Sequence, residues 1–554
     1  MKIRKKCPLL LSLFLLAGCE VNFVNSSSMP NSSSSESSLE STSSDSSKES
    51  SSSTDSSLSS SEPVSSSSSE SSSSSTSSSS EDERAKAYNY EPFFSNDIPN
   101  IKVTASTSDL SFATVPVRTN KWDYTTCKVS VDNCVTNYEM SSISAGIKVR
   151  GNYTANYEKK PFRIKFDKKQ NLLGLNNGSK CKSWVLLADY KDSSMLRNSA
   201  SFYLGKTILG SDGFYSTDYR PVHLYLNNNY WGMYLLCEQQ EVNSNRINIS
   251  EPEDNATNTD IGYLMEYDGY YTDEQALADG DPTFTIDYHN HGSLKTVTGS
   301  YVTPSMDGFT IKSDITNTVQ TNFIASYIDN LYDLMYECIY NKKFYEFNST
   351  NTGLVASSVT SVEELISKYV DINSLVDTYL LNEIACDPDI AWSSFYLNLD
   401  LNAATPKKLT FEACWDFDSA FGLRKGYCES GKDYYAATNS NPWLVILTNQ
   451  DFFKSRVKAK WAEMTKYGVV KKTLNSLVTY STDYVSDYKK NYDRWPNSIG
   501  YNAAVDNEVR IETRDFKTEK DAEAFFYNWL YVRLNYISSV YGDQKDVLTG
   551  LTIN

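Results

Sequence analysis

Between residues 145 and 268, apolar and polar positions alternate in short runs: "AGIKVRGNY", "KPFRIKFD", "SWVLLADY", "PVHLYLNNNYWGMYLLCE" and "IGYLMEYD". These runs are rich in Val, Ile, Tyr and Phe and are separated by Gly, Asn and Asp, which predicts strands joined by turns. The stretch Pro221 to Glu238 predicts a hairpin that turns at Asn227 to Asn229. Between the strands, "SSMLRNSASFYLGKTI" reads as a helix. From Phe323 the period changes, and Ile324, Tyr327, Ile328, Leu331, Met335 and Ile339 recur at helical spacing. "SVEELISKYV" opens with Ser361 and Glu364 at capping-box spacing, and "DINSLVDTYLLNEIA" follows as a second helix. A late strand pair, "SSFYLNLD" and "KLTFEACWDFD", precedes two further helical stretches, "FFKSRVKAKWAEMTK" and "DAEAFFYNWLYVRLNYISSVYG". A β-rich N-terminal half and an α-rich C-terminal half predict an α+β, two-lobe layout.

The start of the chain departs from this pattern. Residues 1–18 carry a basic head (Lys2, Arg4, Lys5, Lys6) and a short apolar run, an export signal too short to span a bilayer. Leu16-Ala17-Gly18-Cys19 is similar to the lipobox of bacterial lipoproteins, whose cysteine is diacylated. Two acyl chains suffice for a stable anchor, so the expected location is extracytoplasmic and lipid-anchored at the membrane. The alternative is an ordinary secretory signal with an unrelated cysteine. Residues 26–80 are dominated by serine and hold almost no large apolar side chain, so they are read as linker. A flexible segment of about 60 residues spans roughly 40–45 Å. The expected organisation is thus a signal over 1–18, a lipidated cysteine and Ser-rich linker over 19–85, and a folded domain over 86–554.

Composition narrows the partners. The net charge of −17 leaves no basic stripe for phosphate backbones, which argues against nucleic acid. With three histidines in 554 residues, Ser-His-Asp and His-rich zinc chemistry are disfavoured. Of ten cysteines, Cys7 and Cys19 belong to the signal and anchor. Cys127 and Cys134 are close enough in sequence to staple a hairpin, although spacing alone establishes no disulfide.

Carboxylates among aromatic residues are the strongest chemical signal. In "LTFEACWDFD", read as a strand, Asp416 and Asp418 share one face, roughly 6.5–7 Å apart. They suit a divalent ion such as Mg²⁺, which takes one or two carboxylates and completes its shell with phosphate and water. A solvated edge, or ion pairs with Arg424 and Lys425, is the alternative. Upstream, Asp387 and Asp389 lie between a helix and a strand, where loops present catalytic side chains, although an Asp-Pro-Asp turn taken alone is more often a helix stop than a catalytic base. Five residues after Asp389 stands Ser394, where the protein-kinase catalytic loop has a metal-binding asparagine. Arg150, Lys159, Lys160, Arg163 and Lys165 offer cations for phosphate, or the charged outer face of an edge strand. Arg197 and Asn198 add a polar pair on a helix. Gly205-Lys206-Thr207 imitates a phosphate loop, but Phe202, Tyr203 and Leu204 before it suit a helix.

Taken in order, "IKVRGNY…KKPFRIKFD", "SWVLLADYKDSSMLRNSASFYL", "VHLYLNNNYWGMYLLCEQ", "GYLMEYD", "YLLNEIACDPD", "WDFDSAFG" and "NPWLVILTNQDFFKSRVKAKWAEM" resemble the CotH family, named for a spore-coat protein kinase. The resemblance spans about residues 100–545. It implies an atypical protein-kinase-like fold that uses ATP and Mg²⁺ or Mn²⁺ to phosphorylate serines. Carried over, it implies Asp416 and Asp418 at the metal, with Ser394 in the second-metal position. It makes Asp389 the catalytic-loop aspartate. Arg150, Lys160, Arg163 and Lys165 would line the phosphates, with Glu238 or Glu266 pairing the lysine. The chain's own Ser-rich arm is a candidate substrate, since tethering raises its effective concentration. An outward-facing kinase meets little ATP, so the alternative is a non-catalytic surface adhesion or interaction protein with a kinase-like fold. Asp-x-Asp metal sites also serve glycosyltransferases.

Overall fold

The structure is a computed structural model that describes residues 74–91, 97–115, 123–277, 280–402, 408–500 and 509–542. The export signal, Cys19 and most of the serine tract lie outside the described residues. Among the described residues, no helix is long and apolar enough to cross a membrane.

The front half closes into a seven-stranded barrel. Its strands are β1 (Asn100–Ala105), β2 (Thr125–Asp132), β3 (Met140–Val149), β4 (Phe162–Gln170), β5 (Cys181–Leu187), β6 (Tyr219–Leu226) and β7 (Asn229–Glu238). They run in the order β1-β2-β3-β4-β5-β7-β6, and a parallel β1–β6 pairing closes the ring. Alternation fills the barrel as expected: Phe162, Ile164 and Phe166 point into its core with Ile147, Trp184, Leu224 and Leu236, while Arg163 and Lys165 stay partly exposed. Asn227 and Asn228 both take positive φ (46° and 66°), which is the type I′ geometry that joins β6 to β7 without splaying them. Cys127 lies within β2 and Cys134 just past its end, so both sit on one arm of the β2–β3 turn and no staple crosses it.

The later strands are β8 (Gly262–Tyr267), β9 (Thr283–Thr285), the pair β10 (Leu294–Lys295) and β11 (Tyr301–Val302), β12 (Gly308–Ile311), the pair β13 (Tyr345–Phe347) and β14 (Leu354–Ala356), β15 (Phe395–Asp400) and β16 (Thr410–Phe411). Five of them form a second sheet in the order β16-β15-β8-β12-β9. Helices surround it. Thr318–Tyr336 buries Ile324, Tyr327, Ile328, Leu331 and Met335, and Ser361 caps Val362–Tyr369 through the Glu364 amide at 3.3 Å. Ile372–Ala385 follows, capped by Asp371. Asp451–Lys466 and Glu519–Tyr541 form where the periodicity places helices, and Gly205-Lys206-Thr207 lies inside the helix Arg197–Ile208.

Two expectations need correction. The late strand stops at Phe411, so strand parity does not set the directions of Asp416 and Asp418. Instead the chain coils through left-handed conformations at Ala413 (φ 72°) and Asp416 (φ 63°). The folded unit also begins before residue 86. A helix runs over Ser74–Ala87, and within it Arg84 donates to Glu463 at 2.7 Å and pairs with Asp212 at 2.7 Å.

Candidate functional site

A cleft of about 1400 Å³ lies where the barrel's β3–β4 loop meets the ends of the second sheet. Its walls include Arg150, Arg163, Lys191, Glu266, Lys312 and Asp389, and its floor Trp415, Asp416 and Asp418.

The acidic side is built by two chain reversals. Helix Ile372–Ala385 ends on Cys386 in a left-handed conformation (φ 50°), which turns the chain into Asp387-Pro388-Asp389. Asp387 accepts the Asp389 amide at 3.2 Å, yet its Oδ2 is buried with no hydrogen-bond partner. Burial and then the neighbouring Asp389 push the Asp387 carboxyl well above the ordinary range. Asp389 accepts from Arg424 at 2.6 Å; burial raises its carboxyl, and Lys191 and Arg424 oppose the rise.

The second reversal follows β16. Left-handed non-glycine residues are costly and persist only where neighbours fix them. The neighbours here are the first two residues of helix Arg197–Ile208. Asn198 accepts the Phe417 amide at 3.0 Å, and Arg197 donates to the Ala420 carbonyl at 3.0 Å. Asp192 in turn holds the Arg197 guanidinium. The polar pair noted on this helix therefore positions the loop. Burial, and then Asp418 beside it, push the Asp416 carboxyl up to about 7, with Arg150 opposing. Lys191 stands 3.6 Å from Asp418, bonds Ser419, and lies over the Tyr153 ring.

This set fits a cation. Buried like charges and an orphaned carboxylate oxygen are costly unless a positive partner joins them. Among the described residues, however, no three Asp, Glu, His or Cys side chains form a ready-made metal cage. An ion held here would draw most of its shell from substrate and water, which matches the habit of Mg²⁺.

The basic side differs from expectation. Arg150 lines the cleft with its guanidinium over the Trp415 ring (5.2 Å), and Arg163 lines it while bonding Ser183 at 3.1 Å. Lys160 does not reach the cleft. Its ammonium is buried on the Ala155 and Tyr157 carbonyls, at 2.8 Å each, and it lines a separate hollow beside Trp231. Lys165 is not among the lining residues either. Glu238 is fully buried, accepting from Arg246 at 2.9 Å and Asn176 at 3.0 Å, so it pairs with no lysine of the site.

The lysine–glutamate pair in the cleft is instead Lys312 with Glu266, at 3.1 Å. Burial disfavours the Lys312 charge, but Glu266, Asp268 and Asp281 hold it protonated. Glu266 sits on β8, opposite Tyr396 of β15 and Thr310 of β12, and also accepts the Ser394 amide at 2.9 Å. Ser394 itself lines the cleft in a left-handed conformation (φ 61°). Lys191 and Lys312 escaped the sequence reading because each is a lone cation in its own segment. Arg424, whose place in the sequence suggests an ion pair with Asp416 and Asp418, binds Asp389 instead.

No curated protein matches the chain. Residues 147–513 match the family of CotH kinase proteins, a span that takes in the cleft from Lys148 to Ser440. The chain therefore belongs to the CotH kinase protein family.

Proposed function

We propose that this protein is an atypical, ATP-dependent protein serine kinase held at the outer face of a membrane. The observation that carries the reading is the meeting, in one cleft, of an under-compensated carboxylate set and a cationic wall. The barrel would form the nucleotide-side lobe and the helical back half the other. Arg150, Arg163 and Lys191 bind and orient the triphosphate, and the Glu266–Lys312 pair fixes the wall opposite. Asp416 and Asp418 would hold Mg²⁺ or Mn²⁺, with Ser394 in the second-metal position. When bound, such an ion would supply charge neutralisation at the transferring phosphoryl group. Asp389, oriented by Arg424, aligns the serine hydroxyl and accepts its proton as the hydroxyl oxygen bonds to the γ-phosphorus and ADP leaves. Trp415 and Phe417 keep water from this end of the cleft.

The Ser-rich arm, residues 26–80, is the first substrate to test. Incubation with ATP and Mg²⁺ or Mn²⁺ should add phosphates to the intact mass, and Asp416→Ala should abolish the gain. An unchanged mass on the arm and on an added Ser-rich peptide, or an equal gain in the variant, would contradict catalysis and favour the adhesion reading. Anchoring through Cys19 predicts that Cys19→Ala moves the protein out of the membrane fraction; retention there would contradict it.

A further inference from the structure

Eight cysteines fall among the described residues, and none is bridged. Two of them flank segments that line the cleft, next to Asp387-Pro388-Asp389 and next to Tyr427. Cys386 ends the helix that carries the chain into Asp387, and Cys428 lies four residues beyond Arg424. One guanidinium and one carbonyl organise both sulfurs: Arg533 donates to Cys428 Sγ at 3.5 Å and to the Glu383 carbonyl at 2.9 Å, and the same carbonyl accepts from Cys386 Sγ at 3.8 Å. Each thiol also shifts the other, Cys428 raising Cys386 and Cys386 lowering Cys428, while Cys428 Sγ donates to the Asp433 carbonyl at 3.8 Å. Cys386 is buried, whereas Cys428 is partly open to solvent.

Reactivity follows the same division. Burial raises the other seven thiols, as at Cys127 and Cys414. Cys428 alone is held below its ordinary value, by the Cys386 thiol and, against burial, by Arg533. A partly exposed thiol of lowered pKa near a second thiol is the arrangement that undergoes disulfide exchange.

We propose that Cys386 and Cys428 are a redox-active pair whose disulfide ties the Asp387–Asp389 turn to the segment that follows Arg424. The Cys428 thiolate attacks one sulfur of a small-molecule disulfide, forming a mixed disulfide and expelling one thiolate. Cys386 gives its proton to solvent, attacks Cys428 Sγ and expels the second thiolate. Two protein thiols are oxidised and one external disulfide is reduced to two thiols. The ring so closed contains Asp387, Asp389, Asp416, Asp418 and Arg424. Its bearing on nucleotide binding rests on the kinase reading; the bond itself does not.

The test treats the full chain with oxidised glutathione or with dithiothreitol, alkylates remaining thiols, and maps peptides by mass. Oxidation should yield one linked peptide pair joining Cys386 to Cys428, lighter by two hydrogens, with Cys127, Cys237 and Cys414 still alkylated. It should also raise the unfolding midpoint by several degrees in the wild type and not in Cys428→Ser. Free Cys386 and Cys428 after oxidation, a glutathione adduct that stays on Cys428, or an unshifted midpoint would overturn the proposal. ATP with Mg²⁺ is added to both forms in parallel. A linked pair with no nucleotide response in either form would sink the kinase reading and leave the pair standing.

Discussion

Asp416 concentrates the chemistry of the cleft in one side chain. Its backbone is left-handed, its carboxyl is pushed up to about 7 by burial and Asp418, and its neighbour Phe417 is pinned by Asn198. A carboxyl whose pKa is raised from 3.8 to about 7 on folding binds a proton more tightly in the folded chain. Its contribution is therefore stabilising at low pH and is lost as pH rises through about 7. In EDTA, the ratio of stability at about pH 5.5 to that at about pH 8 should be larger for the wild type than for Asp416→Asn. Added Mg²⁺ with ATP should restore stability at the higher pH in the wild type only. Identical pH profiles for the two proteins would mean that Asp416 is not the strained carboxylate described here.

At the scale of elements, the cleft depends on how the segment Ala413 to Gly422 is braced. Gly422 has φ +70°, and a Cβ there would lie 2.2 Å from the Trp529 indole nitrogen, itself tied to the Cys428 carbonyl at 3.0 Å. Gly422→Ala combines a left-handed alanine with a clash against a fixed ring, and should cost at least about 2 kcal/mol. Chemical denaturation measures this, and a loss below about 0.5 kcal/mol would show the ring free to move. The same segment marks where sequence reading ends. Period-two alternation located β4 and sent Phe162, Ile164 and Phe166 inward, because a barrel core rewards each apolar position separately. It failed past Phe411, because Asp416 and Asp418 are aimed by positive φ and by the distant residues Arg197 and Asn198. Lys160 and Glu238 misled for a related reason. Their charges are absorbed by the Ala155 and Tyr157 carbonyls and by Arg246, partners that no local spacing reveals. The Lys312–Glu266 pair likewise exists only through the β8–β12 pairing.

Across the whole molecule, the family-matched span 147–513 covers the cleft and strands β4 to β7, while β1, β2 and most of β3 complete the ring from outside it. The ordering of the chain was legible as a β-rich front and a helical back, whereas closure of the barrel was not, since β1 meets β6 across more than a hundred residues. Arg84 fastens the helix Ser74–Ala87 to Glu463 and Asp212. The central claim is that the cleft grips a metal-bound triphosphate between Asp416 and Asp418 on one side and Arg150, Arg163 and Lys191 on the other. Calorimetric titration of ATP into the full chain, with Mg²⁺ and then with EDTA, tests it most directly. The account predicts saturable binding with Mg²⁺ that weakens at least about tenfold, or about 1.4 kcal/mol, in EDTA and in Asp416→Asn. Absent binding, or equal affinity in all three, would contradict it.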